Sequence, residues 1–227
     1  MVFEGILAQI PLFSHFGDEE LTELTSKLHR RRFEKDQILF HKNDPGSTLY
    51  IIISGKVKIV LPSAEGDNVI VALLSTGDFF GELSLFDGEP RSATTIAVDS
   101  TEILTLAQED VFRYLSLNPR ASKEILGEFS RRLRRTDELL SDAAFCNLST
   151  RLSKRILELA DRYGQPDEEG KTRVNMKLRQ QDLADMVGAT RESVNKMLKT
   201  YKQKSLIRVQ RGFITIMDKE GLLLRAR

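Results

Sequence analysis

The sequence of 227 residues has few of the residues that build disulfides and metal centres. Cys146 is the single cysteine, so no internal disulfide can form, and no iron–sulfur cluster held by four thiolates can be built. His15, His29 and His41 are the only histidines, and their spacing is not that of metal ligands. The sequence also has no Walker-type phosphate loop and no catalytic-triad pattern. We therefore predict that the protein is not an enzyme and holds no metal.

Long apolar runs are lacking as well. No segment of the sequence is long enough to span a bilayer, and the first residues have neither the basic region nor the apolar run of a secretory signal. We expect no membrane partner and a cytoplasmic location. With 41% hydrophobic and 30% charged residues, the composition is typical of a globular protein of one or two domains.

The charges are distributed unevenly along the chain. Residues 147–227 hold 18 Lys and Arg against 10 Asp and Glu, a net charge of +8, whereas residues 1–146 hold 16 against 23, a net charge of −7. A basic C-terminal part joined to an acidic N-terminal part predicts that only the C-terminal part binds a polyanion. A basic face exposed to solvent would be the simpler explanation if this were the only observation.

The segment from Gly81 to Ala93 contains the groups that a sugar phosphate requires. Gly81 allows backbone N–H groups to approach an anion, because no Cβ intervenes. Arg91 supplies a planar fork of donors for a phosphate, and Ser92 adds a hydroxyl. Glu82 can accept a hydrogen bond from a ribose 2′-hydroxyl. The segment predicts a nucleotide-binding site, and a β-turn with a surface salt bridge is the alternative.

Short runs rich in β-branched residues surround this segment and predict an all-β sandwich or barrel. They are separated by glycine-containing turn signals and lie at residues 49–53, 57–60, 69–74, 94–98 and 102–106. A barrel enzyme of the cupin type would need two or three histidine ligands on these strands. There is no histidine between Leu49 and Leu106, which argues against that class.

The sequence from about residue 120 to residue 144 predicts a long helix. Apolar residues recur there at alternating steps of three and four, which is the seam of a coiled coil and predicts a homodimer through residues 120–144. The seam positions are Leu126, Phe129, Leu133, Thr136, Leu140 and Ala143. Thr136 is the polar member, and its hydroxyl would bond to its own backbone or contact a ligand.

Further helices are predicted on either side of this seam. A short helix is predicted from Asp18 to His29, with Asp18 as its N-cap. After the seam, Asn147 is a good N-cap for a helix over residues 148–163, and a polar loop follows over residues 164–170.

Residues 180–201 have the spacing of a helix-turn-helix, with Gly188 at the turn. The exposed face of the second helix would carry three residues able to contact bases: Arg191 for a guanine, Glu192 for a cytosine amine, and Lys196 one turn further along. The hydroxyls of Thr190 and Ser193 are placed to meet phosphate oxygens.

The alternating pattern of residues 206–216 predicts a β-hairpin after the helix-turn-helix, which would make this part a winged helix. Arg211, at the turn of that hairpin, is a candidate phosphate contact. A pair of antiparallel helices with a charged outer face is the alternative for the whole region.

The two strongest motifs, Gly81-Glu82-Leu83 followed by Arg91-Ser92-Ala93, and the run from Val187 to Lys196, resemble those of the CRP/FNR family of bacterial transcription regulators. The cyclic-AMP receptor branch is the most similar. The resemblance covers nearly the whole chain and implies an α+β fold in three parts. These are a β-roll (jelly-roll) cyclic-nucleotide-binding domain at 1–118, a dimerisation helix at 119–146 and a winged helix-turn-helix domain at 147–227.

The resemblance also implies roles for single residues on the effector side. Gly81, Glu82, Arg91 and Ser92, with Leu83 of the same motif, match the residues that hold ribose and cyclic phosphate. Thr136 falls where that branch contacts adenine. Asp137 stands where it offers a hydroxyl to the ligand of the partner subunit. Ser92, rather than threonine, after Arg91 favours cyclic AMP over cyclic GMP.

On the DNA side, Arg191, Glu192 and Lys196 fall on the three base-reading positions, which implies a palindrome of TGTGA-like half-sites. Lys196 replaces the usual arginine and supplies a point charge instead of a fork. Arg179 occupies an N-cap position where Ser or Thr is more usual. The family contacts RNA polymerase partly through the loop that corresponds to residues 164–172.

Two alternatives remain open at this stage. The chain could be a family member that responds to cyclic di-GMP or cyclic GMP, or one that binds DNA without an effector. It could also be a nucleotide-binding regulator that does not touch DNA, although the basic C-terminal part argues against that.

Overall fold

The computed structural model describes Ile10 and residues 18–227, with side chains of the first helix described from residue 22 onward. The predicted N-cap, Asp18, therefore lies outside the described side chains. The chain forms two compact units, the first ending at Arg135 and the second beginning at Thr136. Within the described part of the chain, no helix is long and apolar enough to cross a membrane.

The described residues of the first unit form two four-stranded antiparallel sheets, with strand orders β1-β8-β3-β6 and β2-β7-β4-β5. This arrangement confirms the predicted β-domain. The strands are β1 (His29–Phe33), β2 (Ile38–Phe40), β3 (Thr48–Ser54), β4 (Lys56–Pro62), β5 (Asn68–Ser75), β6 (Phe79–Phe80), β7 (Thr94–Ala97) and β8 (Thr101–Ala107).

Strand β3 contributes side chains to a different hydrophobic core on each face of its sheet. Its residues are apolar on both faces, because each face packs against a core. Tyr50 and Ile52 belong to a core that also includes Val57 and Ala97 of the other sheet. Ile51 and its neighbours on the opposite face belong to a core shared with the helices.

Among the described residues as far as Phe145, the helices are α1 (Asp18–Lys27), α2 (Leu83–Asp87), α3 (Gln108–Leu117) and α4 (Pro119–Phe145). Helix α4 contains the predicted helix and begins with proline, whose missing N–H costs nothing at the first position. The side chains of Leu126, Leu133 and Leu140, seven residues apart, are 63%, 64% and 70% exposed. Phe129 differs from its predicted role, because it packs against the core of its own unit.

In the second unit, α5 (Leu148–Tyr163) begins as predicted, since the Asn147 side chain accepts from the Thr150 N–H at 3.0 Å. Helices α6 (Gln180–Val187), α7 (Arg191–Gln203) and α8 (Lys219–Arg225) follow. The strands are β9 (Gly164–Pro166), β10 (Thr172–Val174), β11 (Ile207–Gln210) and β12 (Phe213–Ile216), in the order β11-β12-β10-β9.

The predicted loop over residues 164–170 is wrong in part. Residues 164–166 form strand β9, which pairs with β10, so the segment is a hairpin. The Asp167 carboxylate holds its turn by accepting from the N–H groups of Glu169 and Lys171 at 3.0 and 2.8 Å. A three-residue strand containing glycine and proline has too little local signal to be recognised from sequence.

Candidate functional site

The side chain of Arg91 is the centre of the candidate effector site. It is only 4% exposed, and it donates from Nη1 to the Gly81 carbonyl at 2.6 Å and from Nη2 to the Thr48 carbonyl at 2.9 Å. Its guanidinium lies 4.6 Å from the ring centre of Phe40 and 5.5 Å from that of Tyr50. Its buried Nε has no hydrogen-bond partner among the described residues. The arginine is therefore fixed in place with one donor still available to an anion.

Two glycines surround this guanidinium. Gly81 has φ +81°, which favours glycine, and a Cβ there would lie 2.7 Å from Arg91 Nη1. A Cβ on Gly46 would lie 2.2 Å from Arg91 Nε. The predicted close approach at Gly81 is thus seen as an approach to the arginine. Gly46 was missed because it lies far from the motif in sequence.

Glu82 has a partner that sequence reasoning did not anticipate. Its carboxylate is buried, and its Oε1 accepts from Arg132 Nη1 of helix α4 at 2.9 Å. Arg132 also donates to Glu128 at 2.9 Å and to the Phe79 carbonyl at 2.6 Å. A charged network therefore ties the long helix directly to the segment from Gly81 to Ala93, which we call the cassette.

The same network shifts two pKa values. Burial acts to lower the pKa of Arg132, but attraction to Glu82 and hydrogen bonds with Glu128 outweigh it, so the pKa lies above its ordinary value. Burial acts to raise the pKa of Glu128, but hydrogen bonds from Arg132 and Arg131 outweigh it, so this pKa is lowered. Both shifts favour the charged forms.

Arg91 is shifted in the opposite direction. Burial lowers its pKa, and attraction from Tyr50 and Glu82 offsets this only in part. An arginine remains protonated at neutral pH in spite of such a shift, because its ordinary pKa is so high. A buried cation with a free donor is suited to bind a phosphate.

The other predicted effector residues lie at different depths. Leu83 and Ser92 are exposed at the edge of the cassette. Ser84, which the sequence did not single out, has a buried hydroxyl with no partner among the described side chains. Thr136 and Asp137 are exposed on α4 at the start of the second unit, and their contact with an effector remains a prediction.

The candidate DNA-binding site is built on helix α7. Helix α6 ends at Val187, and the next residue, Gly188, has the left-handed conformation predicted for the turn, with φ 58°. Val194, Leu198 and Tyr201 are buried along one face of α7. On the other face, Arg191, Glu192, Ser193 and Lys196 are all exposed.

Caps fix where α6 and α7 begin. Thr190 accepts from the Ser193 N–H at 3.2 Å, and the hydroxyls of these two residues lie 2.9 Å apart. They thus bond to each other, and their predicted phosphate contacts remain predictions. Arg179 has no acceptor to cap α6, but Asp182 accepts from the Arg179 backbone N–H at 3.3 Å. This bond supplies half of a capping box.

Arg211 lies at the tip of the predicted wing, between β11 and β12. Arg211 and Gly212 both have positive φ, 51° and 86°, which is typical of a two-residue hairpin turn. The Arg211 side chain is exposed. On β11, Arg208 donates to Asp167 at 3.1 Å and to Glu169 at 2.8 Å, so the wing is linked to the β9–β10 turn.

Two family models match the chain. A cyclic nucleotide-binding domain matches residues 30–118, and a Crp-like helix-turn-helix domain matches residues 150–225. The CRP-like cAMP-activated global transcriptional regulator of Mycobacterium tuberculosis is 35% identical over 99% of this chain and 100% of its own length. The cyclic AMP receptor protein of Thermus thermophilus is 29% identical over 92% of this chain and 93% of its own.

Two solved structures have a similar fold. A CRP/FNR-family regulator from Thermus thermophilus has a TM-score of 0.73 and 26% identity, covering 87% of this chain and 98% of its own. The c-di-GMP responsive global regulator CLP of Xanthomonas campestris has a TM-score of 0.74 and 24% identity, covering 88% and 99%. Family members are regulators and not enzymes. The chain belongs to the CRP/FNR family of transcription regulators and contains a cyclic nucleotide-binding domain.

Proposed function

We propose that the protein is a homodimeric transcription regulator that binds cyclic AMP in each β-domain and then binds a palindrome of TGTGA-like half-sites. The observation that carries the effector part is Arg91, a buried cation held by two carbonyls with its Nε still free. A cyclic phosphate supplies the acceptor that this Nε lacks. Glu82 would accept from the ribose 2′-hydroxyl.

The choice of cyclic AMP has two supports. The relative from Mycobacterium tuberculosis, similar over its whole length, is named as cAMP-activated. In addition, Ser92 follows Arg91 where threonine would favour cyclic GMP. The alternative effector is cyclic di-GMP, which the structurally similar CLP of Xanthomonas campestris is named as responding to.

The dimer is supported by the exposed face of α4. Three leucines at heptad spacing are each more than half exposed in the single chain, and burying one against a partner contributes about 1.5–3 kcal/mol. A parallel pair of α4 helices would make a two-fold symmetric dimer. A two-fold dimer binds a palindrome, so the dimer and the form of the DNA site are one proposal.

The exposed face of α7 supports base reading. Arg191 can bind guanine O6 and N7, and Glu192 can accept from a cytosine amine. Glu192 would be repelled by phosphates, so its place on this face favours contact with a base. Arg211 at the wing tip would contact the DNA backbone. RNA polymerase would be a second partner, contacted through the β9–β10 hairpin. The regulator would act in the cytoplasm, where bacterial chromosomal DNA lies.

The Glu82–Arg132 bond supports a route from effector to dimer. A ribose hydroxyl that donates to Glu82 would compete with Arg132 for this carboxylate, and Arg132 lies one turn before Thr136 on α4. The ligand can shift the protein toward a DNA-binding state only by binding that state more tightly. The effector and DNA affinities must then be linked reciprocally.

Isothermal titration calorimetry with cyclic AMP tests the effector site. The wild type should bind, and Arg91→Ala should lose binding, because the buried cation is removed. Arg31→Ala is the matched control, since Arg31 is an exposed arginine of the same unit that lies against the Phe33 ring. It should bind as the wild type does. Normal binding by Arg91→Ala would refute the assignment of the pocket.

A further inference from the structure

Thr95 on strand β7 carries a buried hydroxyl that the fold does not use. Its side chain is 0% exposed, and its Oγ1 has no hydrogen-bond partner within the described part of the chain. A buried hydroxyl without a partner destabilises the folded state, and valine would have nearly the same shape without that cost. The stability of the fold therefore gives no reason for threonine at this position.

The position of Thr95 in the sheet shows which way its side chain faces. It alternates with Ala97, two residues on, which belongs to the core between the two sheets. It pairs with Ile59 of β4 and with Phe40 of β2, both of which also lie on the sheet face that packs on this core. The hydroxyl therefore lies inside the sandwich.

Phe40 connects this position to the effector site. Thr95 and Phe40 are directly paired, so their Cβ atoms lie about 4.5–5.5 Å apart on the same face. The Phe40 ring centre in turn lies 4.6 Å from the guanidinium carbon of Arg91 and 5.3 Å from the Tyr50 ring centre. The unpartnered hydroxyl and the buried cation thus share one aromatic neighbour.

We propose that the Thr95 hydroxyl forms a hydrogen bond with the purine of the nucleotide bound at Arg91. This inference rests on the function proposed above and adds a residue that determines affinity for the base. Arg91 would bind the phosphate, and the aromatic face of the purine would lie against the apolar side chains of this interior, which include Phe40 and Tyr50. A hydroxyl can donate to a ring nitrogen or accept from an exocyclic amine, so binding would satisfy it.

The neighbouring threonine provides a matched control. The hydroxyl of Thr94 accepts from the Lys42 backbone N–H at 2.9 Å, so it has a partner within the fold. Thr94→Val therefore removes a bond between β7 and the turn that follows β2. Thr95→Val removes a hydroxyl that the fold leaves without a bond. The first change should lower the stability and the second should not.

The experiment measures two properties of the full-length wild type and of Thr95→Val, Thr95→Ser and Thr94→Val. These are affinity for cyclic AMP and cyclic GMP by calorimetry, and the melting temperature without nucleotide. Thr95→Val should bind the effector about fivefold to tenfold more weakly with an unchanged or raised melting temperature. Thr95→Ser should keep the affinity, and Thr94→Val should melt earlier with its affinity unchanged.

Two results would overturn the role of Thr95 alone: wild-type affinity in Thr95→Val, or a loss of affinity accompanied by the same fall in melting temperature as in Thr94→Val. A wild type that binds cyclic GMP and not cyclic AMP would refute the proposed effector, and the Thr95 comparison would then be made with cyclic GMP. A wild type that binds neither nucleotide would overturn both proposals.

Discussion

Replacing Arg132 with methionine tests the charged network between the cassette and helix α4. The change keeps most of the side-chain volume but removes the cation that Glu82 and Glu128 both contact at 2.9 Å. The Glu82 side chain is 6% exposed and that of Arg132 is 27% exposed. The variant therefore leaves a carboxylate in the interior without its ion-pair partner.

We expect Arg132→Met to lower the free energy of unfolding substantially, because Glu82 is buried. Removing one partner of a buried ion pair costs about 3–5 kcal/mol of stability. Because Arg132 is partly exposed, we expect a smaller loss of about 2–4 kcal/mol for Arg132→Met. Adding Glu82→Gln should restore part of the stability, with a coupling energy of about 1–3 kcal/mol. Arg131→Met is the matched control, because Arg131 is 62% exposed and should cost less than about 1 kcal/mol.

Urea unfolding is the suitable assay, because guanidinium chloride would screen the charges. The sequence has no tryptophan, so far-UV circular dichroism replaces intrinsic tryptophan fluorescence as the probe. A loss in Arg132→Met no larger than in Arg131→Met would refute the reasoning. The reasoning would also be refuted if the stability lost in the Arg132→Met, Glu82→Gln double variant equalled the sum of the losses in the two single variants.

At acid pH the wild type and Arg132→Met should differ less in their free energy of unfolding than at neutral pH. The pKa of Glu128 is lowered in the folded state, so its stabilising contribution is present above the ordinary pKa of a glutamate and disappears as the pH falls through the lowered value. Arg132 is a main cause of that shift. The difference in unfolding free energy between the two proteins should therefore be smaller at pH 4 than at pH 7, and an unchanged difference would contradict this.

The remaining predictions concern the dimer and the DNA. Leu133→Glu places a charge on the exposed seam of α4 and should convert the proposed dimer to a monomer in sedimentation experiments. A Leu133→Glu protein that is still a dimer at the same concentration would contradict the seam. Arg191→Ala should cost about 1–3 kcal/mol of DNA affinity and relax specificity at one guanine, while Arg211→Ala should weaken all sequences alike and reduce the salt slope by about one. An equal loss on all sequences for Arg191→Ala would make that residue a phosphate contact.

Elements with a strong periodic signal were predictable from the sequence. Helix α4 follows from its heptad pattern, and β3 from its β-branched run. Strand β1 gave no such signal, because His29 and three arginines fill it, and four of its five residues are exposed. It is held as a strand by pairing with β8, which local sequence does not report.

In the candidate site, too, contacts between residues far apart in the sequence could not be predicted. Glycine and arginine in the cassette carry their own chemical signal, since their residue types and spacing suit a phosphate. The bond from Arg132 to Glu82 joins residues 50 positions apart, and nothing in the sequence around Arg132 marks it. Gly46 and Thr95 are likewise explained only by what the fold places beside them.

The most direct test of the account is fluorescence anisotropy of a labelled duplex that carries TGTGA and TCACA half-sites about six base pairs apart. The protein is titrated at fixed salt without nucleotide, with cyclic AMP, and with cyclic GMP as the control. We predict tight binding with cyclic AMP alone. Equal affinity in all three conditions would contradict the effector, and no specific binding in any of them would contradict the assignment of the base-reading residues.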